Sequence, residues 1–263
     1  MPFYRDQLGR PVNIHSNKAI KIVSLVPSQT ELLYYLGLEK EVIGITKFCV
    51  RPQIWVKEKT IVGGTKNIKI DKIEALQPNL IIANKEENDK KQIEALSQKY
   101  PVWISDIQTL TDAFEMIREI SMLVQVAEKG ENLIATIQSQ FETLAATVKN
   151  KCLHSPRAAY FIWRDPMIVV GKDTFIADMI QKAGFQNVFE DNIRYPRINE
   201  ESLRKADPEI ILLSSEPFPF KEKHIQEFQA ICPNAKIKLV DGEMFSWYGS
   251  RLLHTAPYLR TLI

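Results

Sequence analysis

The chain has 263 residues, 45% of them hydrophobic and 25% charged, which indicates a globular protein with one large domain or two modest ones. The 34 basic and 32 acidic side chains are dispersed and leave a formal net charge of +2, so neither nucleic acid nor an anionic membrane is an expected partner. Three distant cysteines, Cys49, Cys152 and Cys232, form no CxxC pair and argue against a disulfide framework.

The first residues, from Met1 to Asp6, lack the basic start and apolar run of a signal peptide. No segment approaches the ~20 consecutive apolar residues of a membrane-spanning helix. The sequence therefore predicts a cytoplasmic protein if it is complete as printed. It predicts a periplasmic or lipid-anchored protein if a leader precedes it in the native chain.

Short apolar runs alternate with longer segments of helical period along the whole chain. This alternation predicts βαβ units with mainly parallel sheets, and hence an α/β fold. The predicted strands cover residues 20–25, 42–45, 80–83, 102–104, 158–163, 210–213 and 237–240.

A helix is predicted directly after the first of these strands. Ser28 and Glu31 have the spacing of a capping box, and Leu32 and Leu33 follow at once. Gly37 is a natural helix stop. The pattern predicts a helix over residues 28–36.

A much longer helical pattern occupies the middle of the chain. From residue 109 to about 149, apolar residues recur at steps of three and four without an intervening proline. The pattern predicts one helix, with Gly130 as the site where it could break. Forty helical residues span roughly 60 Å, so we expect this segment to be a strut between two lobes.

The two sides of the expected strut resemble each other. Residues 71–83 superimpose without a gap on residues 201–213, with an acid, a proline and a buried strand at matching places. Residues 31–37 and 178–184 match more weakly. We therefore expect two lobes of similar design with a ligand cleft between them. The expected division is an amino-terminal lobe (1–108), a connecting helix (109–150) and a carboxyl-terminal lobe (151–263).

The segment IVSLVPSQTELLYYLG at 22–37, followed by VIGITKFC at 42–49, resembles the periplasmic cobalamin-binding proteins of ABC importers. The likeness continues through segments at 63–65, 76–82, 171–176, 195–196 and 245–251, and residues 6–12 are similar to the first strand of iron-siderophore receptors. The resemblance implies a class III periplasmic-binding-protein fold, with two α/β lobes joined by a rigid backbone helix. It also implies a monomer that holds a metal chelate in the cleft and delivers it to an ABC permease dimer.

The ligand implied by the resemblance is a cobalamin or other corrinoid, a ferric siderophore or a haem, carried as cargo and not as a catalytic cofactor. Such chelates are large and partly flat, so their site should offer aromatic surface with a few polar groups. Core packing is the alternative role for each aromatic residue, and an ordinary salt bridge is the alternative for Arg251. The candidate ligand contacts are Phe48, Cys49, Trp163, Arg164, Tyr195, Glu243, Trp247, Tyr248 and Arg251.

Asp71 and Glu201 occupy matching places in the internal repeat. In the resembled family, such a pair docks onto arginines of the permease. The alternative is helix capping, because Asp71 and Glu74 could cap a helix and acids in a first turn favour the helix dipole.

The chain shows no pattern of catalytic or metal-ligating residues. Its four histidines, His15, His154, His224 and His254, have no metal-ligand spacing, and no GxSxG, P-loop or GxGxxG is present. We expect neither a catalytic site nor a metal site in the chain itself. The alternatives are a chelatase-like enzyme on a similar fold, which would need a titratable group in the cleft, and a cytoplasmic corrinoid- or tetrapyrrole-binding module.

Overall fold

The computed structural model describes residues 4–14, 19–151 and 154–263. The chain forms two compact units, one made of residues 1–107, 111–135 and 248–251 and the other of 108–110, 136–247 and 252–263. Residues 109–150, which we expected to connect the lobes as a separate segment, are thus shared between both units, and the three-part division stays a prediction. Cys152 and His15 lie outside the described residues.

The first unit contains a five-stranded parallel sheet with the order β5-β4-β3-β6-β7, preceded by a two-stranded antiparallel hairpin of β1 and β2. Its strands are β1 (Tyr4–Arg5), β2 (Pro11–Val12), β3 (Ile22–Ser24), β4 (Val42–Ile45), β5 (Thr60–Ile61), β6 (Leu80–Asn84) and β7 (Val102–Ser105). Its sheet is flanked by α1 (Pro27–Tyr35), α2 (Gln53–Glu58), α3 (Ile70–Leu76) and α4 (Lys90–Ser97).

Two helices follow, α5 (Leu110–Leu123) and α6 (Ala127–Lys151). The second unit has parallel strands in the order β10-β8-β11-β12, with β9 antiparallel to β8. Its strands are β8 (Arg157–Trp163), β9 (Ile168–Val169), β10 (Gln186–Asn187), β11 (Ile210–Ser214) and β12 (Lys236–Val240). Its shorter helices are α7 (Phe175–Lys182), α8 (Glu200–Ala206), α9 (Glu222–Ile231), α10 (Glu243–Ser246) and α11 (Leu252–Leu259).

All seven predicted strands are present, and the α/β class with mainly parallel sheets is confirmed. The sequences of β6 and β11 are continuously apolar over most of their length because every residue of these two strands is buried. Parallel strands need a crossover connection, usually a helix, and helices on the faces of a sheet bury its strands on both sides. The strands that the sequence did not predict, such as β5, β9 and β10, have two residues each.

The first helix has the predicted end but a different beginning. Its N-cap is Val26, which makes no side-chain cap, and Pro27 occupies the first helical position, so the capping box predicted at Ser28 is wrong. Proline suits that position because its fixed φ is helical and its missing N–H needs no partner there. Gly37 adopts a φ of +84° and ends the helix, as predicted.

The single helix predicted from residue 109 to about 149 is also wrong, because it is interrupted between α5 and α6. Gln125 adopts the left-handed conformation with a φ of 62°. Its N–H bonds the Met122 carbonyl (3.1 Å) and the Val126 N–H bonds the Ser121 carbonyl (2.8 Å), which is a Schellman ending. Glutamine rarely takes this role, so the sequence carries no obvious stop signal there.

Gly130, where we had allowed for a break, lies inside α6. A Cβ atom added to Gly130 would lie 2.1 Å from the Ser121 hydroxyl of α5. Next to this contact, Arg118 donates to Glu131 (2.7 Å). Glycine at 130 therefore permits α5 and α6 to approach closely, and the break occurs at Gln125 instead.

The internal repeat is reproduced in the backbone. Helices α3 and α8 each have seven residues and end at a left-handed residue, Gln77 (φ 47°) in one and Asp207 (φ 41°) in the other. Pro78 and Pro208 follow, and each leads into a fully buried strand of five residues. The second, weaker match is reproduced where α1 and α7 each end before a glycine of positive φ.

Candidate functional site

The carboxyl edge of a parallel sheet is where α/β proteins commonly bind ligands, at the point where the strand order reverses. In the first unit the chain runs from β3 outward to β4 and β5 and then returns to β6 and β7, so this point lies between β3 and β6. In the second unit it lies between β8 and β11 for the same reason. The loops after these strands are therefore the candidate binding loops.

In the first unit, Asn84 at the end of β6 organises the following loop. Its side-chain oxygen accepts hydrogen bonds from the N–H groups of Glu86 (2.8 Å) and Glu87 (2.9 Å). Its amide nitrogen donates to the Ser105 hydroxyl (3.0 Å) at the end of β7. The loop after β6 is thus held to the sheet by a buried amide.

Phe48 follows β4 in the same unit and is 50% exposed. The Lys47 ammonium lies 5.0 Å from the centre of its ring. Phe48 borders a cavity of about 580 Å³ that also contacts the turn formed by Gly63 and Gly64. An exposed aromatic ring beside a cavity at the carboxyl edge fits the predicted role as a ligand contact.

In the second unit, Trp163 ends β8 and is 38% exposed. Its ring packs against Phe218 with centroids 5.7 Å apart, and its N–H donates to the Asp165 carbonyl (3.1 Å). Phe218 lies in the loop after β11, so the pair bridges the two strands at which the strand order reverses. Sequence reasoning missed Phe218, although its place shortly after a buried strand was a usable signal.

Cys49 is placed in the core. It is 1% exposed, and its sulfur accepts a hydrogen bond from Thr30 (3.1 Å) and lies 3.2 Å from the Thr46 hydroxyl. Burial raises the pKa of the Cys49 thiol. The prediction that Cys49 contacts the ligand is not supported by this position, because the thiol does not reach the surface.

Arg164 is engaged in an ion pair. Its guanidinium donates to Glu227 (2.8 Å) and lies 5.7 Å from the centre of the Phe228 ring. The hydrogen bond from Arg164 lowers the pKa of the Glu227 carboxyl. Arg164 therefore stabilises the second unit, and ligand contact would have to compete with this pair.

Trp247 is buried against a carboxylate that the sequence did not single out. It is 7% exposed, and its N–H donates to Glu216 (3.1 Å), which also accepts from Ser246 (2.6 Å). Burial raises the pKa of Glu216, and the neighbouring carboxylate of Glu243 at the start of α10 raises it further. Trp247 thus follows the core-packing alternative, whereas Glu243 is half-buried.

Tyr248 and Arg251 belong to the first unit. Tyr248 is 5% exposed and donates to Glu87 (3.3 Å), and burial raises the pKa of its phenol. Arg251 is 8% exposed and forms a bidentate pair with Glu31 of α1, with its Nε 3.0 Å from Oε2. The salt-bridge alternative for Arg251 matches this geometry, because the forked pair already engages two of its N–H groups with a carboxylate.

Tyr195 is half-buried in a loop that is attached to the strand region of the second unit. The Arg194 carbonyl accepts from the Gly171 N–H (2.7 Å), and the Pro196 carbonyl accepts from the Val169 N–H (3.1 Å). The backbone on both sides of Tyr195 is therefore fixed. Its role as a ligand contact stays a prediction.

Asp71 and Glu201 are the second residues of α3 and α8, and both are exposed. Lys69 is the N-cap of α3 and makes no side-chain cap, so Asp71 does not cap its helix. Asn199 caps α8 by accepting from the Ser202 N–H (2.8 Å), so Glu201 is not needed as a cap either. The equivalent placement of Asp71 and Glu201 that the repeat predicted is confirmed. The local role that remains for both acids is a favourable interaction with the dipole of their own helix.

Within residues 4–14, 19–151 and 154–263, no cluster of three or more His, Cys, Asp or Glu side chains is arranged to hold a metal ion. In the same ranges, none of the helices is both long and apolar enough to cross a membrane. Cys49 and Cys232 are both free thiols.

Comparisons with known proteins agree with this architecture. The vitamin B12-binding protein of Pectobacterium atrosepticum is 26% identical over 244 residues, which cover 91% of this chain and 86% of that protein. The structure of the periplasmic vitamin B12-binding protein of Vibrio cholerae superimposes with a TM-score of 0.79 at 21% identity, over 92% of this chain and 95% of that one. A periplasmic haem-binding protein from Pseudomonas aeruginosa gives a TM-score of 0.80 at 18% identity, over 92% and 91%.

These structural likenesses establish the fold that the sequence resemblance implied. The family model described as periplasmic binding protein matches residues 22–231, which is most of the chain. Members of this family are binding components of transport systems and not enzymes. The chain therefore belongs to the periplasmic binding protein family.

Proposed function

We propose that this protein is the substrate-binding component of an ABC importer and that it captures a bulky metal chelate of the cobalamin, haem or ferric-siderophore type. The proposal is supported by the similar proteins, which are named for vitamin B12 and haem binding. Their periplasmic names also support a location outside the cytoplasmic membrane.

The observation that carries the proposal is the pair of exposed aromatic surfaces at the carboxyl edges of the two sheets. Phe48 forms the aromatic surface of the first unit, and Trp163 and Phe218 form that of the second. Large macrocycles and chelates present flat apolar faces, and aromatic rings bind such faces through area burial and stacking. Phe48 is 50% exposed and Trp163 38% exposed, so both rings offer surface to a ligand.

Fluorescence titration tests the proposal. Trp163 is 38% exposed, whereas Trp55, Trp103 and Trp247 are each at most 7% exposed. A panel of cyanocobalamin, haem and ferric siderophores should include at least one chelate that quenches tryptophan emission and raises thermal stability. The quenching should be much smaller in a Trp163→Phe variant.

Affinity measurements on truncated side chains complete the test. Phe48→Ala and Trp163→Ala should each weaken binding of the active chelate about tenfold, because each removes a stacking contact. Tyr35→Ala is a matched control, since Tyr35 is 48% exposed on α1. The proposal fails if no chelate of the panel changes either fluorescence or thermal stability.

We further propose that Asp71 and Glu201 dock the loaded protein onto a permease dimer. The support is their equivalence under the repeat, because a two-fold symmetric permease presents the same surface twice. Both side chains are exposed acids at the second position of matching seven-residue helices. Their carboxylates suit arginine partners, which bind carboxylates with two parallel hydrogen bonds.

A charge reversal of both residues, Asp71→Lys with Glu201→Lys, should abolish permease association while ligand affinity stays near that of the wild type. The control is Glu58→Lys with Asp191→Lys, which makes the same change in net charge at one exposed acid of each unit. Association is measured with permease in detergent or nanodiscs, beside thermal unfolding. Loss of folding stability equal to the loss of docking would favour a helix-stabilising role instead.

A further inference from the structure

The cavity beside Phe48 has an unusual lining. Of the ten residues around its volume of about 580 Å³, four are lysines and none is acidic. It lies where β4 and β5 end, at the carboxyl edge of the sheet in the first unit. We term it the basic pocket, and the residues used below are Lys47, Phe48, Thr65, Lys66, Lys69 and Lys72.

The hydrogen bonds that the lysines of the basic pocket donate to described residues end on neutral carbonyl groups. Lys66 donates to the backbone carbonyls of Glu86 and Asn88, and Lys72 donates to the Ile61 carbonyl (3.1 Å). Carbonyl oxygens orient an ammonium group without cancelling its charge. Among the described residues, none of the four ammonium groups has a carboxylate within salt-bridge distance.

Asp71 is the acid nearest to the pocket along the chain, between Lys69 and Lys72. It is exposed on α3 and is not among the lining residues. The four lysines therefore give the basic pocket a net positive charge, which favours an anionic ligand.

The loop that carries Thr65 and Lys66 is fixed before any ligand binds. Asn88 is 3% exposed, and its amide donates to the Thr65 carbonyl (3.1 Å). The Gln92 side chain accepts from the Ile68 N–H (3.0 Å). At the start of the loop, Gly63 has a φ of +109°, and a Cβ there would lie 2.5 Å from a backbone oxygen. A preformed loop lowers the entropy cost of binding.

We propose that the basic pocket binds the anionic periphery of the transported chelate, so that the substrate class is a metal chelate with a net negative charge on carboxylate or catecholate oxygens. Ammonium groups form charge-assisted hydrogen bonds with such oxygens, and the Phe48 ring contacts the adjoining apolar part. This inference rests on the proposed function, because it selects among the chelates that a binding protein of this family would carry.

The test compares chelates of different charge on the full chain. An anionic ferric tricatecholate and haem, with its two propionates, should bind at least tenfold more tightly than a neutral ferric trihydroxamate or cyanocobalamin. Raising NaCl from about 50 to about 500 mM should weaken the anionic chelates only, since exposed charges are screened by salt. Affinities are measured by tryptophan quenching and calorimetry.

The pocket is tested by the quadruple variant Lys47→Gln, Lys66→Gln, Lys69→Gln, Lys72→Gln. Affinity for the anionic chelate should fall about tenfold for each charge-assisted hydrogen bond lost, and the salt dependence should disappear. The matched control changes Lys40, Lys57, Lys90 and Lys91 to Gln, which are exposed lysines of the same unit. Both variants change the formal net charge from +2 to −2 and so separate local from overall electrostatics.

The double variant Lys47→Gln, Lys69→Gln keeps the test valid if the quadruple variant does not fold. Neither ammonium group donates a hydrogen bond to a residue that the structure describes, and the double variant should still weaken anionic chelates at least tenfold. The inference is overturned if neutral chelates bind as tightly as anionic ones and neither lysine variant changes any affinity, a result that leaves the proposed function intact. If no chelate binds at all, the proposed function fails and the inference fails with it.

Discussion

The two copies of the internal repeat have the same backbone and different loop chemistry. Position 84 at the end of β6 and position 214 at the end of β11 each hold a polar side chain that accepts the N–H of a glutamate two residues later. The glutamates, Glu86 and Glu216, are again 130 residues apart in sequence. The scaffold is therefore conserved between the copies up to the first residues of the loop.

Beyond that point the two copies diverge. In the first unit, the loop contacts the basic pocket through the carbonyls of Glu86 and Asn88. In the second, the half-buried Glu216 accepts a hydrogen bond from Trp247, and Phe218 packs on Trp163. The two frameworks are thus similar and their loops differ, because changes in loops do not disturb the buried strands.

The largest effect should come from equivalent positions inside the shared framework. Ile81→Ala in β6 and Ile211→Ala in β11 remove side chains that are both fully buried. Each should lower the free energy of unfolding by about 2 to 5 kcal/mol, measured by urea denaturation. Ile193→Ala is the control, since Ile193 is 65% exposed. A difference between the two core variants as large as either effect would contradict the equivalence of the frameworks.

A smaller and unequal effect is expected where the copies begin to diverge. The Asn84 side chain bonds two loop N–H groups and both the hydroxyl and the carbonyl of Ser105. The Ser214 hydroxyl has three partners, because it accepts from the Glu216 N–H and the Tyr160 hydroxyl and donates to the Glu216 carbonyl. Each buried group left without its partner costs about 1 to 3 kcal/mol, so Asn84→Ala should destabilise the protein more than Ser214→Ala. Denaturant unfolding measures both. Equal losses of stability would mean that the two loops depend on Asn84 and Ser214 to the same degree.

Substitutions at the left-handed residues that end α3 and α8 should stabilise the protein, in contrast to the two destabilising changes above. Gln77→Gly and Asp207→Gly should each stabilise the protein by about 1 kcal/mol, because glycine adopts positive φ without steric strain. Ala75→Gly in the exposed interior of α3 should instead destabilise by about 1 kcal/mol. The thermal midpoint is the readout. Destabilisation by both end variants would show that the side chains at 77 and 207 make interactions that outweigh the strain.

The smallest expected effect is a change in the pH dependence of stability. Because burial raises the pKa of Glu216, the folded state holds its proton more tightly than the unfolded state. The contribution of Glu216 to the free energy of unfolding is therefore present at low pH and is lost as the pH rises through the pKa of the folded state. The substitution Glu216→Gln should remove this pH-dependent loss of stability.

Glu209 should show the opposite pH dependence of stability, because its pKa is lowered and not raised. Hydrogen bonds from the Arg157 N–H and from His154 lower the pKa of Glu209, so its contribution is present above the unfolded pKa and lost on acidification. Unfolding measured from about pH 3 to about pH 8 should thus show opposite changes of slope for Glu216→Gln and Glu209→Gln. Slopes that change in the same direction would refute the burial argument for Glu216.

The sequence by itself determined the features that depend on neighbouring residues. The seven apolar runs predicted seven strands, Gly37 predicted a helix end, and the match of 71–83 with 201–213 predicted the repeat and the placement of Asp71 and Glu201. Periodicity and glycine stereochemistry act within a few residues, so such patterns can be read directly from the chain.

Only the tertiary structure decided which side chains are exposed to a ligand and which are buried or paired within the protein. It buried Cys49 beneath α1, paired Arg251 with Glu31, and placed Trp247 on Glu216. It ended α5 at Leu123, ahead of the left-handed Gln125, and it brought Lys47 after β4 together with the three pocket lysines after β5. Burial and charge clustering depend on residues that are distant in sequence, and no local pattern records which of them will meet.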